Sequence, residues 1–362
     1  MTIYLDYQAT TPLAPEAFAA MRPWLEDKFA NPHSPHRLGR EAAAAVEVAR
    51  DAVAALLPKG GKLYFTSGAT EALNWALRCT GTGGISVLET EHAAVLDTAL
   101  WLGTQGRDVQ LLPVRPDGVV APASLTDGTG MVAAMLVNNE IGVIQPVAEM
   151  ADLAHTSGAL FLCDAVQGFG RIAIPEGPDL IAISAHKIHG PKGIGALWVK
   201  DGVTITPFLH GGGQEGRLRS GTLSPALCAG FGAAALLAAK RMDEDAAHVS
   251  ALWDAALDRL PDGWVINGST DARYKGNLNI RHDGIDVARL ISGLRDIAFS
   301  AGSACASGSG RPSHVLRGIG LSDAQAKSSI RIGFGRTTRE EELRDALNRI
   351  FRAAREQGRP IA

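Results

Sequence analysis

Seven short apolar runs, at 62–66, 85–89, 109–113, 131–137, 159–164, 179–184 and 194–199, are the feature that most restricts this chain. Helix-length stretches such as 71–79 and 147–157 separate several of them. Strands alternating with helices over that span specify an α/β fold with a mostly parallel sheet. One strand has to break the pattern. Parallel neighbours need a crossover of about a dozen residues or more. The link between 184 and 194 is shorter, so the strand at 194–199 is expected to run antiparallel.

The remainder reads as a second unit. A long helical stretch covers 225–259, followed by strand-like 277–281, a helix at 287–294, strand-like 298–300 and 329–334, and a last helix. That helix opens on Thr338-Arg339-Glu340-Glu341, a capping-box pattern, and its Leu343, Leu347, Ile350 and Ala354 follow helical spacing. An early helix at 41–57 carries Val46, Ala49, Val53 and Leu56 on one face. A length of 362 residues allows two or three domains.

Composition removes several function classes. A net charge of −3 leaves no basic footprint for nucleic acid. Residues 220–239 carry no charge, but they are rich in Ala, Gly, Ser and Thr, and Ser224-Pro225 reads as an N-cap with proline at the first helical position. A buried helix therefore fits better than a membrane span. Cys79, Cys163, Cys228 and Cys305 are too far apart for a CxxC zinc site or a disulfide framework. The start, Met-Thr-Ile-Tyr-Leu-Asp, lacks the pattern of a signal peptide, so a reducing cytoplasm is expected.

Four segments carry chemistry. In Phe65-Thr66-Ser67-Gly68-Ala69-Thr70-Glu71 a strand ends, small residues turn and a helix begins. Amides at a helix N-terminus hold phosphate, and Gly68 permits close approach. Taken alone, this is also an ordinary strand-to-helix turn. Next, Asp164 ends an apolar strand, at the edge where open α/β sheets bind ligands. It could hold a cationic group or be a plain surface acid. Its neighbour Cys163 reads as a small buried hydrophobe.

In the third segment, Ile183-Ser184-Ala185-His186-Lys187, a lysine sits just past the next strand. An acid and a lysine at successive strand ends, beside a phosphate-binding turn, suit pyridoxal phosphate: the lysine forms the Schiff base and the acid pairs with the pyridinium nitrogen. A zinc reading of His186-x-x-His189 lacks further ligands. In the fourth segment, Cys305 lies within Gly302-Ser303-Ala304-Cys305-Ala306-Ser307-Gly308. Small residues bury a thiol poorly, so it is either a reactive, movable nucleophile or an incidental loop thiol. Gly211-Gly212-Gly213-Gln214-Glu215-Gly216 matches a dinucleotide fingerprint in letters only, since no apolar helix follows.

Together these segments resemble the cysteine desulfurases of the class V aminotransferase group. The likeness is carried by 4–12, 65–71, Thr90-Glu91-His92, 137–142, 164–167, 184–195, 210–222, Ser303-Ala304-Cys305 and Ser328-Ser329-Ile330-Arg331, in family order. The resemblance implies an aspartate-aminotransferase-like fold (fold type I), with a mostly parallel seven-stranded sheet in a large domain, 14–247. It implies a smaller α+β domain, 1–13 and 248–362, that carries the cysteine loop.

It also implies pyridoxal 5'-phosphate bound by Ala69, Thr70, Ser184 and His186 at the phosphate, Asp164 at the ring nitrogen, Gln167 at the phenolic oxygen and Lys187 as the anchoring amine. His92 would stack on the ring and assist proton transfer. Thr222 would reach the partner's phosphate in a homodimer. Asn139 and Arg331 would bind the substrate carboxylate. Strand alternation supports Arg331, because Ile330, Ile332 and Phe334 share the other face. Removal of sulfur from L-cysteine would leave L-alanine and a persulfide on Cys305 for an acceptor protein in iron–sulfur cluster or other sulfur-cofactor synthesis. A selenocysteine lyase or another β-lyase is the alternative enzyme, and a non-catalytic sulfur or metal carrier the alternative of another class.

Overall fold

The computed structural model describes residues 2–121, 124–302 and 312–357. A two-residue strand β1 (Ile3–Tyr4) precedes two helices, α1 (Pro15–Glu26) and α2 (Arg37–Ala54). Then come β2 (Gly61–Thr66), α3 (Ala69–Cys79), β3 (Gly84–Leu88), α4 (Ala93–Thr104), β4 (Val109–Leu112), β5 (Thr129–Met135), α5 (Val147–Thr156), β6 (Leu160–Asp164), β7 (Leu180–Ser184) and β8 (Gly195–Lys200). The seven strands β2 to β8 form one sheet in the order β2-β8-β7-β6-β5-β3-β4. As the short connection requires, β8 is antiparallel to both its neighbours, and the other pairings are parallel.

Burial explains why these runs are continuous rather than alternating. All five residues of β7 are buried, because helices cover both faces of a central strand. On α2, Val46, Ala49 and Val53 face inward at helical spacing. The helix α6 (Pro225–Leu257) starts where Ser224 accepts the Leu227 N–H and proline takes the first position. It packs on α1 and α2, and a Cβ on Gly232 would stand 2.8 Å from Ala49 Cα, so glycine sets how closely the helices meet. Among the described residues no helix is long and apolar enough to cross a membrane.

The second sheet follows α6. β9 (Val265–Ile266), β10 (Asn277–Arg281), α7 (Val287–Gly293), β11 (Ile297–Ala298), β12 (Ser300–Ala301), α8 (His314–Gly318), α9 (Asp323–Lys327), β13 (Ser329–Gly333) and α10 (Glu340–Gln357) complete the chain. Four of these strands make an antiparallel sheet in the order β12-β13-β10-β9. The segment expected as one strand at 298–300 is two, because the chain changes partner at buried Phe299: β11 pairs with β1, and β12 with β13. Ile280, Ile330, Ile332, Phe334, Leu343, Leu347 and Ile350 form this core together with Leu5 from the start of the chain. Val249, Leu252 and Trp253 from the far end of α6 join it, so one helix serves both cores. The Thr338 hydroxyl accepts from Gly335 N–H, and a complete capping box forms instead at Ser322 and Gln325 of α9.

Candidate active site

The parallel strands end along one edge of the large sheet, and a cavity of about 600 Å3 opens there. Ala69 and Thr70, at the start of α3, form part of its wall. Their amides belong to the first helical turn and have no partner within the helix. A Cβ on Gly68 would meet nothing within 4 Å, so the turn opens its backbone to the cavity. Gly195 allows the first residue of β8 to press against that turn, since a Cβ there would lie 2.8 Å from Gly68 Cα.

Asp164 is the last residue of β6, in register with Met135 of β5 and Ala182 of β7. One carboxylate oxygen accepts from Val166 N–H at 2.9 Å. Burial raises its pKa, against the pull of His92, Val166 N–H and Lys187. Beside it Glu91 is fully buried, with one oxygen accepting Met135 N–H at 2.6 Å and the other without a partner. Burial first, then Asp164, hold Glu91 well above the usual carboxylate range. Of the two, Glu91 is pressed harder toward its neutral form.

β7 runs into a tight 3-10 turn, Ala185–Lys187, which turns His186 and Lys187 into the cavity. Lys187 Nζ donates to Gln8 O at 2.6 Å and Ala9 O at 2.8 Å. Burial lowers its pKa to about 8, helped by Arg171 and Arg331. Burial and then Lys187 lower His186 to about 4, leaving a neutral imidazole whose Nδ1 lies 3.1 Å from the Thr10 hydroxyl. His92 caps α4, and its Nδ1 accepts Ala94 N–H at 3.0 Å, which puts the proton of the neutral ring on Nε2.

Arg331 is 1% exposed, buried rather than a surface ion pair. Its Nη2 donates to Asp6 Oδ1 at 2.7 Å and its Nη1 to Asn139 O at 3.1 Å. Arg331 Nε and Asn139 Oδ1 are buried without partners, two polar atoms at the cavity wall that a ligand could satisfy. The loop bearing Asn139 closes at Gly142, whose φ of +71° suits glycine and whose Cα side abuts Asn277.

Of the residues singled out in the sequence, Ala69, Thr70, His92, Asn139, Asp164, Gln167, Ser184, His186, Lys187 and Arg331 line this one cavity. Thr222 does not, and is exposed on the surface of the chain. Cys305 lies outside the described residues, whose nearest neighbours in sequence are 302 and 312. Sequence reasoning gave no individual role to Gln8, Ala9 and Thr10, which also line the cavity, or to Asp6, Glu91, Arg171 and Glu140 around it. Glu140 is buried, accepts the Ser313 hydroxyl, and is pushed up to about 7 by burial against the opposing Ser313, Arg331 and His92. For Glu91 there was no local signal, because it lies in the polar run Glu89-Thr90-Glu91-His92 and nothing there marks it as buried. For Asp6 there was none, because its partner stands at the other end of the chain.

The model of the aminotransferase class-V family matches residues 3–345. A curated relative, "Cysteine desulfurase IscS" of Rickettsia akari (strain Hartford), is 44% identical over 97% of this chain and 90% of its own. A solved structure described as "NIFS-LIKE PROTEIN" superposes with a TM-score of 0.89 at 32% identity, covering 98% of this chain and 99% of that one. A NifS-like protein from Rickettsia africae ESF-5 gives a TM-score of 0.89 at 30% identity, covering 98% of this chain and 100% of the other.

Proposed function

The chain belongs to the aminotransferase class-V family and is a cysteine desulfurase, and we propose that it works with pyridoxal 5'-phosphate held in the 600 Å3 cavity. The observation that carries this reading is Lys187, a buried amine lowered to about 8 in the same cavity as Asp164 and the open first turn of α3. The residues present fit the group. The α3 amides, Ser184 and neutral His186 would take the phosphate, with Gln167 at the phenolic oxygen and His92 against the ring. The unpartnered donor Arg331 Nε is further support for an anionic ligand, to which Asn139 would present its amide nitrogen.

When bound, the group supplies an electron sink for the α-carbon of an amino acid. Asp164 would hold a proton at the ring nitrogen, a task that needs its negative charge and is helped by whatever presses Glu91 toward its neutral form. Lys187 Nζ would anchor the group and carry protons, because an amine near pH 8 exchanges them readily. Arg331 and Asn139 would hold the substrate carboxylate. The net reaction we assign is L-cysteine plus the Cys305 thiol giving L-alanine plus the Cys305 persulfide. The substrate's carbon–sulfur bond breaks, its carbon gains a proton, and a sulfur–sulfur bond forms on Cys305. The persulfide would then pass to an acceptor protein, for iron–sulfur cluster or related synthesis.

We assign the large unit to 14–247 and the smaller, cysteine-bearing one to 1–13 with 248–362. Thr222 is assigned to a partner's phosphate in a homodimer, a reading supported by its exposure and by the exposed apolar Leu25 and Phe29. Among the described residues Cys79, Cys163 and Cys228 are free thiols, which is compatible with a cytoplasmic setting. Borohydride reduction of the purified protein followed by peptide mapping tests the central assignment. Cofactor should be trapped on Lys187; trapping on Lys192, which also lines the cavity, would refute it.

A further inference from the structure

Arg171 lies seven residues past Asp164, is half-buried, and has no salt bridge to a carboxylate among the described residues. Its guanidinium is spent on backbone and amide oxygens. Nη1 donates to Gln167 Oε1 at 2.8 Å and more weakly to Gln167 O at 3.4 Å. Nη2 donates to Lys187 O at 2.7 Å and to Tyr7 O at 3.4 Å. Its other face lies over the Tyr274 ring, 5.3 Å from the centroid.

A guanidinium has only donors. It therefore forces an amide facing it to present oxygen, and the NH2 group must point the other way. Gln167 obeys this: Nε2 points away from Arg171 and donates to Gln8 O at 2.9 Å. A primary amide has two N–H bonds, so a second one remains available on Gln167, a residue that lines the cavity. We propose that Arg171 is a positioning residue that fixes the polarity of Gln167, so that Gln167 meets the cofactor's phenolic oxygen as a donor, while the same guanidinium holds the Lys187 backbone. The inference rests on the pyridoxal phosphate reading of the cavity.

Two consequences act in one direction. A donor at the phenolic oxygen and a positive charge near the lysine nitrogen both disfavour a proton on that nitrogen. The other charges facing Lys187 are Arg331, which acts the same way, and Asp164 and Asp6, which oppose it. Around Arg171 itself stand Tyr7, Tyr274 and Arg336, and Arg336 is paired with Asp245.

The test is the pH titration of the visible absorption band of the cofactor-loaded protein, read without substrate. Arg171→Gln removes the charge and leaves an amide that can donate or accept, so the polarity of Gln167 is no longer enforced. The midpoint should move up by about one pH unit. Arg171→Lys keeps a donor-only cation and should titrate close to wild type. An unmoved midpoint in Arg171→Gln, or an equal shift in both variants, overturns the inference. If Arg171→Gln does not fold, Arg171→Leu at the same site is read against the same expectation, and an unmoved midpoint there overturns it too. Protein that purifies with no visible band, and traps nothing on Lys187, defeats the cofactor reading and this inference with it. A band that titrates identically with and without the Arg171 charge defeats this inference alone.

Discussion

Asp6 and Arg331 meet at 2.7 Å across the wall of the cavity, the carboxylate half-buried and the guanidinium almost wholly so. Asp6 thus occupies one arm of the group assigned to the substrate carboxylate, and competes with it. Arg331→Lys keeps the charge and loses the planar fork, at a cost of about 1.5–3 kcal/mol, so kcat/KM for cysteine should fall roughly 10- to 150-fold, mainly through KM. Asp6→Asn keeps an acceptor oxygen but removes the competing charge, and KM should fall rather than rise. Steady-state alanine production in both variants checks the pair, and a KM unmoved by Arg331→Lys contradicts the assignment.

Asp164→Asn preserves shape and removes the charge at the ring nitrogen. Losing a preorganised electrostatic partner of this kind costs about 10²- to 10³-fold in turnover. The far-ultraviolet circular dichroism should stay that of wild type. Near-normal desulfuration by a folded Asp164→Asn protein would remove Asp164 from the chemistry.

Lys187 predicts a pH dependence. Only the neutral amine can capture the cofactor's carbonyl, and burial with Arg171 and Arg331 lowers this amine to about 8. The capture rate in cofactor-free protein should therefore rise with pH up to about 8 and then level off. An ordinary lysine would keep gaining up to about 10.4. Stability follows the same sign: between the two values the unfolded chain binds the proton and the native chain does not, so this group's contribution improves as pH rises through that window. Stopped-flow absorbance during reloading measures the first effect, and a rate still climbing tenfold per unit above pH 9 would count against it.

Cys305→Ser should keep the visible band and its response to cysteine, because the substitution leaves every described cavity residue in place. It should release almost no sulfide, since the thiolate is the attacking species. Wild-type protein given cysteine without reductant should gain one sulfur atom, ~32 Da, on the peptide holding Cys305. A persulfide found only on Cys79, Cys163 or Cys228 would displace Cys305 from its role.

What the sequence made legible was local. Asp164 and Lys187 could be placed at strand ends because apolar runs stop there, and β8 could be turned antiparallel because its connection is short. The changeover at Phe299 was hidden, because a run of three residues does not reveal that its two ends pair with different strands. Arg171 was equally hidden, because its partners are oxygens of Gln167, Lys187 and Tyr7 rather than a matching charge. Asp6 and Arg331 are too distant in sequence for any periodicity to connect them. Only family resemblance drew the first residues into the same frame.

The pairing of β1 with β11 has a consequence for biosynthesis. Ile3 finds its partner Ile297 only when most of the chain exists. At ordinary elongation rates, that is a wait on the order of tens of seconds. During it Asp6 has no Arg331. Gln8, Ala9 and Lys187 are all made before Arg331, so the oxygens that hold the lysine precede the guanidinium assigned to the substrate. The carboxylate-binding arm of the proposed site is accordingly the last part to be completed, when β13 brings Arg331 to Asp6.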